Sequence, residues 1–126
     1  MAIGYYAQLR RRCARWRGTI LVADRNGEVV GFVAVLAQIP FTELDEPPGT
    51  YALVTDLIVA PRLRRHGLGT RLLAHAERHA RRQGATELRI GVLSGNAAAA
   101  QLYQTVGFRP WAQVLRKRLR RGLTTA

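Results

Sequence analysis

Residues 57–70 most constrain the fold, because an apolar, strand-like run from Leu57 to Val59 passes through Pro61 and three arginines and then through Gly67, Leu68, Gly69 and Thr70 into a helical pattern. A strand that feeds a glycine turn and then a helix builds an anion site. Amides of the turn and first helical turn have no intrahelical acceptor and lie at the positive end of the helix dipole. A phosphate group satisfies both. Glycine at 67 and 69 lets a ligand approach the backbone, and Arg64 and Arg65 supply charge-assisted donors.

What the motif lacks narrows its ligand. A nucleotide P-loop places Lys and then Ser or Thr directly after its second glycine, whereas Gly69 precedes Thr70 and Arg71. A dinucleotide fingerprint needs a third glycine where Leu72 stands, and an acidic residue after the next strand where Glu87 instead opens that strand.

The chain has 126 residues, 48% of them hydrophobic, which suits one domain, residues 1–126, around one core. No linker, repeat, signal peptide or membrane-length apolar run is evident, and the protein is expected to be cytoplasmic with no membrane partner. Cys13, the one cysteine, has no disulfide partner and belongs to no zinc-ligand spacing, so no metal is expected. A net charge of +12 admits a nucleic-acid reading. The arginines are scattered, however, and are not interleaved with stacking aromatics. A solvated basic surface that helps to recruit an anionic cofactor accounts for them better, and no nucleic-acid partner is expected.

Periodicity supplies the frame. Tyr5, Tyr6, Leu9, Cys13 and Trp16 form one stripe of an amphipathic helix ended by Gly18. Thr19 to Ala23 and Glu28 to Ala37 read as strands joined at Asn26-Gly27, the residue pair a tight hairpin favours, with Gly31 marking either a bulge or a close contact. A proline-punctuated loop from Pro40 to Gly49 carries Glu43, Asp45 and Glu46, three of eight acidic residues. These carboxylates either attract a cationic amine or simply pair with arginines, the second reading being slightly favoured. A strand from Tyr51 to Val59 enters the glycine turn. The helix after it buries Leu68, Leu72, Leu73, Ala76 and Ala80, turns Arg71, His75, Arg78 and Arg82 outward, and ends near Gly84. His75 and His79 are read as surface residues because no third metal ligand accompanies them. A strand from Glu87 to Leu93 completes a right-handed parallel unit. Asn96 caps a helix to about Thr105, with Gly107 as terminator. Asn96, Ala99 and Tyr103 share one of its faces, and Ala98, Leu102 and Val106 share the core face.

The two constellations together resemble the GNAT superfamily of acyl-CoA-dependent N-acetyltransferases. The family's phosphate signature is matched by Arg64, Gly67 and Gly69 after Val59 and Pro61, and its later signature by Asn96, Ala99, Tyr103, Gly107 and Phe108. The match runs from about Thr19 to the end. It implies an α/β (α+β) fold with a central mixed, mostly antiparallel sheet, splayed at a cofactor cleft and flanked by helices, and lacking the family's first strand and first helix. It implies acetyl-CoA as co-substrate, held by Leu57, Ile58, Val59, Arg64, Arg65, His66, Gly67, Leu68, Gly69, Thr70, Asn96, Ala99 and Tyr103. The acceptor is a primary amine of a small molecule or a protein. By the same resemblance the Val59 amide polarises the thioester and Tyr103 protonates the departing thiolate. For the base, Asp56, Glu43 and a water chain all stand open, Asp56 being the one acid on the central strand. A shortened N-terminus is compatible with a homodimer. A non-catalytic acyl-CoA-binding module of the same fold is the alternative function.

Overall fold

In the computed structural model, residues 3–42, 44 and 46–121 are described. Helix α1 (Ile3–Arg15) precedes the hairpin of β1 (Thr19–Arg25) and β2 (Glu28–Pro40), then β3 (Thr50–Val59), a 3₁₀ turn (Pro61–Leu63), α2 (Leu68–Arg82), β4 (Leu88–Ile90) and α3 (Ala97–Thr105). The sheet order is β1-β2-β3-β4, with the first three strands antiparallel and β4 parallel to β3. Asn26 and Gly27 turn the hairpin at φ 54° and 84°, the left-handed pair that matches strand twist.

One face of the sheet carries Val33, Val35, Ala52 and Val54, packed against Leu72, Leu73, Ala76 and Ala80 of α2. By strand alternation Ala34 and Leu36, both fully buried, lie on the other face, the one covered by α1 through Leu9 and Cys13. Tyr5 and Tyr6 of the same helical stripe stay more than 40% exposed. Among the described residues no helix is long and apolar enough to cross a membrane.

Three bulges interrupt the ladders, and each has an identifiable role. Ala23 pairs with Gly31 but Asp24 with Val29, so Val30 is the extra residue beside Gly31. Gly31 itself answers a close contact, because a Cβ there would stand 2.8 Å from the Ile58 carbonyl. Further along β2, Leu36 pairs with Leu53 and Ile39 with Tyr51, which leaves Ala37 and Gln38 opposite Ala52. Both freed amides donate to the Trp16 carbonyl, at 2.9 and 2.8 Å, tying the end of α1 to the sheet. The third bulge is in β3: Ala34 pairs with Asp56 and Val35 with Val54, so Thr55 is unpaired.

The strand expected over 87–93 is shorter than its alternation suggests. β4 pairs with β3 only through Leu88, Arg89 and Ile90, opposite Ala52, Leu53 and Val54, and has no ladder beyond them. The chain after α3, residues 108–121, forms no helix or strand and leaves Trp111, Val114, Leu115 and Leu119 largely exposed.

Leu73 is 3% exposed at the centre of the α2–sheet contact. Leu73→Ala is expected to cost about 2–5 kcal/mol through lost transfer energy and a residual cavity, measured by chemical unfolding.

Candidate active site

The short β4 creates the site. Beyond Val54, strand β3 continues to Val59 with β2 on one side and no strand on the other. The Ala60 amide donates to the Val30 carbonyl at 2.8 Å, so 60 and 30 form a hydrogen-bonded antiparallel pair. Such pairs alternate with pairs whose amides point away, and the register stays regular from Gly31–Val59 to Ala34–Asp56. The amides of Val59 and Leu57 therefore turn from β2 into the open side of β3. A wedge between two parting strands, edged by unpaired amides, accepts an extended, amide-bearing chain as a further strand would be accepted.

The wedge leads to the start of α2. Gly67 is its N-cap, at φ 80° and with no side-chain cap, and Arg65 is also left-handed at φ 67°. The amides of 68–70, the first of α2, have no acceptor within the helix, whereas Arg71 already bonds the Gly67 carbonyl. That leaves a nest of donors with the helix dipole behind it. A Cβ at Gly67 would meet nothing within 4 Å, so its positive φ is what requires glycine there. At Gly69 a Cβ would lie 3.3 Å from Leu102 Cδ2, so this glycine also admits the close approach of α3. Arg64 reaches back to the Val59 carbonyl through Nε at 3.4 Å. His66, Arg25, Arg71 and His75 line a cavity of about 410 Å³ between β1 and α2, and Arg71 and His75 are exposed, as their spacing predicts.

On α3, Asn96 does cap the helix, its side-chain oxygen accepting from the Ala99 amide at 3.1 Å. That leaves only its NH₂ free for a ligand. Tyr103 packs against the α2-side core with Leu102, Val106 and Phe108, and meets the Phe108 ring edge-on at 5.9 Å. The face separation expected for this helix is thus incomplete, because Tyr103 shares the core side. Burial pushes its phenol above the usual value of about 10. Among the described residues its hydroxyl has no hydrogen-bond partner, so it is a protonated, uncommitted donor at neutral pH.

The Thr55 bulge decides where Asp56 points. Ala52 and Val54 face α2, and after the extra residue so do Leu57 and Val59, which turns Asp56 to the α1 face. There Tyr5 of α1 donates its hydroxyl to Asp56 Oδ1. Asp56 Oδ2 is shielded from solvent and has no hydrogen-bond partner among the described residues. Sequence reasoning missed Tyr5 as a site residue, since its only signal was a place on the apolar stripe of α1.

Comparisons with known proteins settle the family. The sequence model described as "Acetyltransferase (GNAT) family" matches residues 3–108. The chain belongs to the GNAT acetyltransferase family. It is 30% identical over 105 residues to the uncharacterized N-acetyltransferase YhfO of Bacillus subtilis (strain 168), across 83% of this chain and 68% of that protein. It is 32% identical over 106 residues to the aminoglycoside N(6')-acetyltransferase type 1 of Klebsiella aerogenes, across 84% and 68%. Its fold superimposes with a TM-score of 0.76 on the structure of AAC(6')-Iy in complex with the bisubstrate analog CoA-S-monomethyl-acetylneamine. That match has 19% identity and covers 93% of this chain and 79% of the other. The protein is accordingly an acetyl-CoA-dependent N-acetyltransferase, and its mixed α+β fold is the expected one.

Within this acetyltransferase the acidic loop divides. Glu46 is bound to Arg89 at 2.7 Å, and Arg89 also binds Glu87 at 2.7 Å, so the arginine-pairing reading holds for Glu46. Glu43 and Asp45 lie outside the described residues. His79 is committed to the Arg17 carbonyl at 2.9 Å, and among the described residues no group of three or more His, Cys, Asp or Glu could hold a metal.

The two glycines are separable by substitution. Gly67→Ala is expected to cost about 1–2 kcal/mol, the strain of a left-handed L-residue. Gly69→Ala should stay within about 1 kcal/mol of the parent, as helix propensity offsets a small shift of Leu102. Thermal unfolding distinguishes the two outcomes.

Proposed function

We propose that this GNAT enzyme transfers the acetyl group of acetyl-CoA directly to a primary amine, with Asp56 as base, Tyr103 as acid and the Val59 amide as oxyanion donor. The observation that carries the reading is the open side of β3 beyond Val54. It brings unpaired amides, the α2 donor nest and the bulge-directed Asp56 onto one strand and its continuation. The acceptor class is extended from the relatives: a hydroxyl-rich, polycationic amine such as an aminoglycoside.

In this reading the pantetheine arm lies along the open side of β3, and the pyrophosphate rests on the amides of residues 65–70. The neutral amine nitrogen attacks the thioester carbon, and the carbonyl oxygen becomes an oxyanion held by the Val59 N–H. Collapse forms the amide, breaks the C–S bond and releases coenzyme A as thiolate, which takes the Tyr103 proton. Asp56 takes the proton of the amine, directly or through one water. Tyr103 regains its proton from solvent. The raised pKa of Tyr103 suits this order, because an acid must still hold its proton when the leaving group needs it.

Thiol release from acetyl-CoA, followed against neamine, spermidine and a lysine peptide, tests the class. Turnover of neamine above the other two is expected, and equal rates for all three would reject the aminoglycoside extension. Tyr103→Phe and Asp56→Asn should each lower kcat by about 10²-fold or more with little change in the KM of acetyl-CoA, the loss typical of removing a general acid or base. An unchanged kcat in either variant removes that residue from the chemistry.

A further inference from the structure

We propose that Tyr5 is a positioning residue, its hydroxyl holding one oxygen of Asp56 and so fixing the orientation of the carboxylate that takes the amine proton; this rests on the reading of Asp56 as base. The two groups are 51 residues apart in sequence and come from different layers, α1 and the sheet, so their contact is a product of the tertiary fold. No local backbone motif requires it.

Three observations carry the inference. First, Asp56 has an asymmetric carboxylate. Oδ1 accepts from Tyr5, while Oδ2 is shielded and has no donor among the described residues. A shielded oxygen without a partner costs about 1–3 kcal/mol or more, so a purely structural carboxylate would be expected to satisfy both oxygens. Second, one fixed hydrogen bond removes the rotation that would otherwise exchange the two oxygens, and fixing a reacting group in one orientation lowers the entropy cost of reaction. Third, Tyr5 is 42% exposed, so its ring is not a core element whose main function is burial.

The charged and titratable neighbours fit this arrangement. Tyr5, Arg12 and Cys13 are the α1 groups that interact electrostatically at this face. The Tyr5 phenol is raised above its usual range, first by the hydrogen bond to Asp56 and then by burial, while Arg12 acts in the opposite direction. Tyr5 therefore remains a donor throughout the neutral range. It engages Oδ1 only, so the carboxylate is held at one oxygen and keeps its remaining lone pairs.

Two measurements test the role, one of them independent of turnover. NMR titration of a tyrosine-labelled protein should show Tyr5 ionising above the usual phenol range and returning toward it in Asp56→Asn. An ordinary titration in the parent means that the contact does not form and overturns the proposal. In steady-state assays with acetyl-CoA and neamine, spermidine or the lysine peptide, Tyr5→Phe should lower kcat about tenfold, part of the 10²–10⁴ a general base supplies, with the KM of acetyl-CoA unchanged. In an Asp56→Asn background the same substitution should have no further effect. Equal losses in both backgrounds would assign Tyr5 to α1 packing alone and reject the positioning role. If Asp56→Asn keeps parental kcat, or no amine is turned over, the reading of the base fails and this role with it, whatever the titration shows. Tyr5→Leu, which removes ring and hydroxyl together, guards against an anomaly of the Phe variant. Loss of melting temperature in both variants with parental kcat would equally count against the proposal.

Discussion

One extra residue in one strand sets the geometry of the whole site. A strand has a side-chain period of two, so inserting Thr55 into β3 without a partner in β2 exchanges the faces of every residue after it. Before the bulge, Ala52 and Val54 point into the α2 core; after it, Leu57 and Val59 do. Without it, Asp56 would enter that core as an unpaired charge, at a cost of several kcal/mol. The bulge removes that penalty and turns the same carboxylate toward α1. It also reverses which amides face β2, and this opens the Leu57 and Val59 N–H groups to the wedge. The face of the Asp56 carboxylate and the direction of the Leu57 and Val59 amides thus follow from a single register shift.

A wedge needs a closed end as well as an open one. Arg89 supplies it at the last paired turn of β3 and β4. Its guanidinium lies 3.8 Å from the Tyr51 ring centroid, 4.2 Å from Trp111 and 5.4 Å from Phe41, and it binds Glu46 and Glu87. The side chain is only 19% exposed, so these pairs are screened less than surface ion pairs. Removing the guanidinium would leave the part-buried Glu46 carboxylate without this partner, which is costlier than losing an exposed pair. One residue therefore joins the loop after β2, the start of β3, strand β4 and the segment after α3. Above this clamp the strands are free to part.

The elements were largely legible because their signals are local. Asn26-Gly27, the α2 stripe and the Asn96 cap are each read within a few residues, and all three are found as expected. The β3 bulge was not legible. From Tyr51 to Val59 the strand is apolar at most positions, so a phase change leaves no break in the pattern. The contact of Gly69 with Leu102 was not legible for a related reason: its partner lies more than 30 residues away. The length of β4 was overestimated because alternation through Val92 reports side-chain exposure, not whether a neighbouring strand is present to pair with.

In the proposed reading the donor and acceptor sides differ in the same way. The donor side is made mostly of backbone: amides of residues 65–70, a left-handed cap at Gly67 and strand amides freed by the end of β4. Backbone sites demand glycines and caps at fixed spacing, and such demands survive as motifs. The acceptor side is made of side chains brought together from α1 and β3, with Tyr5 and Asp56 meeting only in the folded protein. No spacing rule governs a pair contributed by different layers. On that reading donor specificity is written along the chain, whereas amine specificity depends on how α1 lies on the sheet, a packing that Leu9 and Cys13 fix.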